Sequence, residues 1–117
     1  MSNVTPFPRL GAAAPSQIAF DRLELSRIMD LYGRMVSAGH WRDYAIDLTR
    51  DVAIFSAFRR AAERPELRIE KRPALRHRQG MWALIGETGA VLRRGQELVG
   101  VLAPVERRLL KLIDGNG

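Results

Sequence analysis

The chain has 117 residues, 46% apolar and 27% charged, enough for one domain with a core of its own and ordinary for a globular protein. It has no cysteine, which excludes disulfides, thiol catalysis and thiolate metal sites, and no run approaches the roughly 18 apolar residues of a membrane span. The net charge of +6 belongs to one stretch: residues 59–94 hold ten basic and four acidic residues, and the remainder balances nine against nine.

Met1 to Pro15 carries Pro6, Pro8, Gly11, Pro15 and the run Ala12–Ala14. It lacks the basic start and long apolar run of a secretory signal and reads as a disordered tail. The expected domain covers residues 16–114, with 115–117 a disordered end. Together with the missing cysteines, this places the protein in the cytoplasm, away from membranes.

Asp21 and Glu24 have the spacing of a capping box, in which the N-cap carboxylate accepts a free backbone N–H and the glutamate reaches back. Phe20 and Leu25 can add a hydrophobic staple. Leu25, Ile28, Met29, Tyr32, Met35 and Val36 follow helical spacing, and Gly39 supplies a left-handed stop, so a helix is expected over 21–38.

From Trp41 the period is two. Tyr44, Ile46 and Leu48 alternate with Asp43, Ala45 and Asp47 in a half-buried strand. A turn at 49–51 leads to a second strand, 52–58, apolar on both faces. Residues 59–65 connect to a third, 66–72, whose Leu67 and Ile69 point inward. Pro73 cannot continue a ladder, so 73–80 is a loop. Met81 to Ile85 and Ala90 to Arg94 are the fourth and fifth strands, joined by a hairpin turn at 86–89. Short connections imply an antiparallel meander.

Gly95 opens a last helix with the stripe Leu98, Val101, Leu102, Val105, Leu109 and Leu112, and Pro104 is expected to kink or restart it. The order α-β-β-β-β-β-α is an α+β domain in which two helices can cover one sheet face.

Enzymatic signatures are lacking. His40 ends a helix, and His77 lies in an arginine-rich loop without neighbouring carboxylates, so both read as structural or solvated. Asp43 and Asp47 share a strand face but suit ordinary salt links with Arg42 and Arg50. The serines lack a nucleophile-elbow context, and Gly86 to Gly89 lacks the ending and following helix of a phosphate loop. No catalytic residue, metal or cofactor is expected.

The basic stretch is the strongest functional signal, because a localised positive field attracts polyanions. The excess of arginine (17 Arg against 2 Lys) is what a GC-rich genome produces, so only the clustering carries the argument. On the third strand Glu66, Arg68, Glu70 and Arg72 alternate in sign and neutralise one another. The uncompensated charge lies at Arg59, Arg60, Arg76, Arg78, Arg93 and Arg94, the candidate anion-binding residues. Arg93 and Arg94 beside Gly95 could also hold an anion at the helix N-terminus. Trp82 could stack on a base, although a core position suits it better. Convergence of the six arginines on one surface depends on strand order: a simple meander would divide them. The leading expectation is a non-enzymatic module that binds nucleic acid or another polyanion. The alternative is a protein-interaction or homodimerising domain, with Trp41, Tyr44 and Phe55 as anchors, since aromatics dominate interface hot spots.

Several blocks together resemble a family of small alphaproteobacterial proteins catalogued as a domain of unknown function. They are Phe20-Asp21-Arg22, Glu24-Leu25, Leu31-Tyr32-Gly33-Arg34-Met35-Val36, Trp41-Arg42-Asp43-Tyr44-Ala45-Ile46-Asp47, Ile69-Glu70-Lys71, Arg78-Gln79-Gly80 and Arg94-Gly95-Gln96-Glu97-Leu98. The resemblance covers about residues 18 to 112 and implies a cytoplasmic bacterial protein; it supplies no activity, ligand or catalytic residue. Pro104 departs from the family's pattern.

Overall fold

The computed structural model describes residues 17–60 and 64–114; both expected tails lie outside them. Helix α1 spans Arg22–Ser37 and begins at the expected cap. The Asp21 carboxylate accepts from the Glu24 amide and the Glu24 carboxylate from the Asp21 amide, both at 2.8 Å. Phe20 stacks on Trp82, with ring centroids 6.1 Å apart. Ile28, Leu31 and Met35 are the buried residues of α1; Leu31 extends the expected stripe, and Val36 is exposed. Gly39 has φ of 78°, the left-handed conformation that glycine adopts without a Cβ clash.

Five strands follow: β1 (Asp43–Leu48), β2 (Ala53–Phe58), β3 (Leu67–Lys71), β4 (Trp82–Gly86) and β5 (Val91–Gly95). Their order in the sheet is their order in the chain, and every pair is antiparallel. A short 3-10 turn (Pro73–Leu75) lies in the β3–β4 loop. Helix α2 runs uninterrupted over Leu98–Asp114 with Pro104 inside, so of the two expectations for Pro104 the helix does not restart there. Proline leaves the carbonyl four residues back without its helical donor. That carbonyl, on Gly100, accepts from Arg93 Nη1 at 3.2 Å. Gly95 closes β5 rather than opening the helix.

Both helices lie on the same sheet face and run parallel. Their first turns line one pocket, and Arg34 further along α1 pairs with Glu106 of α2. Phe55, Ala57, Leu67, Ile69, Trp82 and Leu84 meet them in a single core. On the opposite face, Ser56, Ile54, Arg68, Glu70, Ala83, Ile85 and Arg94 follow from strand alternation and register. No helix among the described residues covers that face. β1 is an edge strand more exposed than its alternation suggests, because α1 shields only part of it.

Candidate anion-binding surface

The meander divides the six expected arginines. Arg59 and Arg60 follow the end of β2, whereas Arg76 and Arg78 follow β3 and Arg93 and Arg94 end β5, at the other end of the sheet. A strand length of about 17 Å separates the two groups. The single patch on which a nucleic-acid reading chiefly stood is therefore not formed. At the far end Arg59 and Arg60 join Arg64, Glu66 and Glu87 around a cavity of about 230 Å³.

The remaining four are also sorted by the backbone. The β4–β5 register shifts between Leu84 and Ile85, placing Arg93 opposite Leu84 and Arg94 opposite Ala83. Alternation then sends the two arginines to opposite faces. Arg93 turns to the helix layer and the Gly100 carbonyl; Arg94 stands on the helix-free face. This leaves no guanidinium pair for an anion at the start of α2. Arg76 and Arg78 are held at the same end by glycine. Gly80 has φ of 108°, and a Cβ there would lie 2.8 Å from the Gly95 backbone, so only glycine lets the loop close against β5. Gln96 also donates its side-chain amide to the Arg76 carbonyl.

The third strand neutralises itself only in part. Glu66 lies outside β3 and is drawn into the helix layer, where it accepts from Trp41 Nε1 at 2.5 Å and from Arg108, with His40 Nε2 at 3.3 Å. Burial alone would raise the Glu66 carboxyl. The Trp41 hydrogen bond, Arg108 and His40 outweigh it and hold the carboxyl below its usual range. On the helix-free face Arg68 and Arg72 share the carboxylate of Glu70, while Asp43 and Asp47 stand on the same face two strands away, on β1. The Arg68 and Arg72 nitrogens lie 3.8 and 3.3 Å from the Glu70 oxygens. Arg94 stands in the same cross-strand row as Glu70, one strand beyond Ala83.

Two donors on this face are unsatisfied. Nε of Arg68 and Nη1 of Arg94 are closed off from solvent and find no acceptor among the described residues. An unmade hydrogen bond of this kind costs about 1–3 kcal/mol. Sequence reasoning discounted Arg68 and Arg72 because Glu66 was counted on their strand. Nothing local in the sequence signals that Trp41 and Arg108 claim it.

The expected interface anchors are mostly interior. Trp41 and Phe55 are core residues, and only Tyr44 is exposed, stacked on Phe55 and edge-on to Tyr32. Trp82 is likewise buried, beneath Phe20. Asp43 and Asp47 share the helix-free face about 13 Å apart at the usual strand rise, too far to act as a pair. Among the described residues no cluster of three or more His, Cys, Asp or Glu could hold a metal ion. No helix there is long and apolar enough to cross a membrane.

A five-stranded meander with two parallel helices on one face and an arginine-lined opposite face defines a two-layer α+β domain. Residues 18–102 match the family described as "Protein of unknown function (DUF2794)", and the chain belongs to that family. The match ends before Pro104 and the second half of α2. None of the curated proteins and none of the solved structures compared matches the chain.

Proposed function

We propose that the protein is a non-enzymatic, cytoplasmic binding module whose basic surface meets an anionic partner, nucleic acid, across the helix-free face of the sheet. The observation that carries this reading is the placement of Arg68, Arg72 and Arg94 on one face, where Arg68 and Arg72 share the one carboxylate of Glu70 and Arg94 has no ion-pair partner among the described residues. Phosphate oxygens supply both negative charge and acceptors, and guanidinium matches them bidentately. Arg76 and Arg78 extend the surface at the same end. With Trp82 buried, the partner is held through its phosphates rather than by stacked bases, which predicts little sequence preference.

A gel-shift series at two salt concentrations tests it. Retention of DNA or RNA is expected at micromolar protein and low salt, weakening on the order of tenfold or more for a fewfold rise in salt. Arg68→Met combined with Arg94→Met should abolish retention, whereas Arg59→Ala with Arg60→Ala should leave it. Absence of retention at low salt, or loss only on changing Arg59 and Arg60, would end the proposal. A second reading, a self-associating domain, is favoured by a different observation: the exposed apolar outer stripe of α2.

A further inference from the structure

Helix α2 has two stripes. Leu98, Val101, Leu102, Val105 and Leu109 face the core. Val99, Ala103, Glu106, Leu110 and Ile113 recur at alternating steps of four and three, the spacing of a helix–helix seam. Val99, Leu110 and Ile113 are 58%, 60% and 65% exposed, and Leu23 of α1, which lines a pocket with Val99, is 63% exposed. Much of the stripe borders a groove of about 410 Å³ between the helices, with Arg27, Asp30 and Arg34 of α1 on its other wall. The last residues of α2, from Leu110 to Asp114, are all exposed. An uncovered apolar patch of a few hundred Å² marks an interaction surface.

We infer that this groove receives α2 of a second copy of the chain, antiparallel, in a two-fold dimer. The inference rests on the self-association reading and is independent of the anionic one. Antiparallel pairing about Glu106 sets Val99 against Ile113 of the second copy, and Ala103 against its Leu110, so apolar positions meet at every level but the centre. At the centre each Glu106 is already neutralised by Arg34, through hydrogen bonds of 3.0 and 3.1 Å, so ion pairs rather than bare carboxylates approach. The rim agrees in charge. Arg27 and Val99 line the same groove, so Arg27 faces the C-terminal end of the incoming helix, with Asp114 and the negative end of the helix dipole. A parallel arrangement would set Arg27 against that helix's positive end. The contact is isologous, which closes the assembly at two copies.

Light scattering on the full chain at high micromolar concentration should give twice the 13.2 kDa of one chain. Leu110→Glu with Ile113→Glu should give a monomer with unchanged far-ultraviolet circular dichroism, because both side chains are exposed in the protomer. Arg27→Asp should weaken the dimer at least tenfold, and Asp114→Arg added to it should restore affinity. Ile46→Lys on the β1 edge should leave the dimer intact. A monomeric wild type overturns both this inference and the self-association reading. A dimer that survives Leu110→Glu with Ile113→Glu leaves self-association standing and overturns this surface.

Discussion

Glu66→Ala probes how the helix layer is fastened to the sheet. The Glu66 side chain is 12% exposed and accepts from Trp41 and Arg108, with His40 beside it. Removing it strands the Trp41 N–H inside the core, at about 1–3 kcal/mol. Arg108 is 34% exposed and can turn to water, so losing that contact adds no more than about 1 kcal/mol. The expected loss is about 1–4 kcal/mol, or a fall in melting temperature of about 5–25 °C for a domain this size. Glu66→Gln keeps an acceptor for Trp41 and should lose only about 1 kcal/mol. The pH dependence has a definite sign. The folded carboxyl lies below its ordinary value of 4.5, so its contribution is complete above pH 4.5 and is lost as pH falls through the folded value. Wild type should therefore weaken more steeply on acidification than Glu66→Gln. Urea unfolding followed by the fluorescence of the two buried tryptophans, at pH 7 and in steps to pH 3, measures both effects. A Glu66→Ala loss below about 0.5 kcal/mol, or identical acid limbs in wild type and Glu66→Gln, would refute the reasoning.

Further substitutions address the helices. Asp21→Ala should cost about 1 kcal/mol in thermal denaturation, because the Glu24 amide loses its acceptor. Glu24→Ala should cost more, since Glu24 also holds Lys71 Nζ at 2.6 Å; equal costs would show that this link contributes nothing. Pro104→Ala should stabilise by about 1–3 kcal/mol by restoring a helical donor to Gly100. In a double-mutant cycle Arg93→Ala should then cost less in the Pro104→Ala background than in the wild type, and an additive cycle would remove the compensating role of Arg93.

Features set by neighbours along the chain were legible in the sequence. The capping box is two residues at fixed spacing, and the meander follows from short connections between alternating segments, so both agree with the structure. Features set across the fold were not. The register shift between Leu84 and Ile85, which decides whether Arg93 or Arg94 faces the helix layer, is announced by no residue type. Pro104 sits in an unbroken helix, and the arginine from β5 that reaches the carbonyl it frees is remote in sequence. Trp41 and Phe55 have the composition of interface anchors and the environment of core residues, and residue type alone does not separate the two.

The distribution of satisfied polar groups bears most directly on function. Glu66 and Arg68 are two positions apart in sequence, yet the first has partners from three residues and the second has a closed-off nitrogen with none. Buried polar groups in folded proteins are overwhelmingly paired, so an unpaired one calls for a reason. Drawing Glu66 into the helix layer fastens Trp41 and α2 to the sheet, and it also removes a carboxylate that would have offset Arg68. The same contact that stabilises one face therefore removes a counter-charge from around Arg68 on the other. Stability alone would favour an apolar residue at Arg68, beside the buried Ser56 and Ile85 in register with it. On the proposed reading an incoming phosphate reverses that preference, because its charge complements the guanidinium groups at the one face the helices leave open.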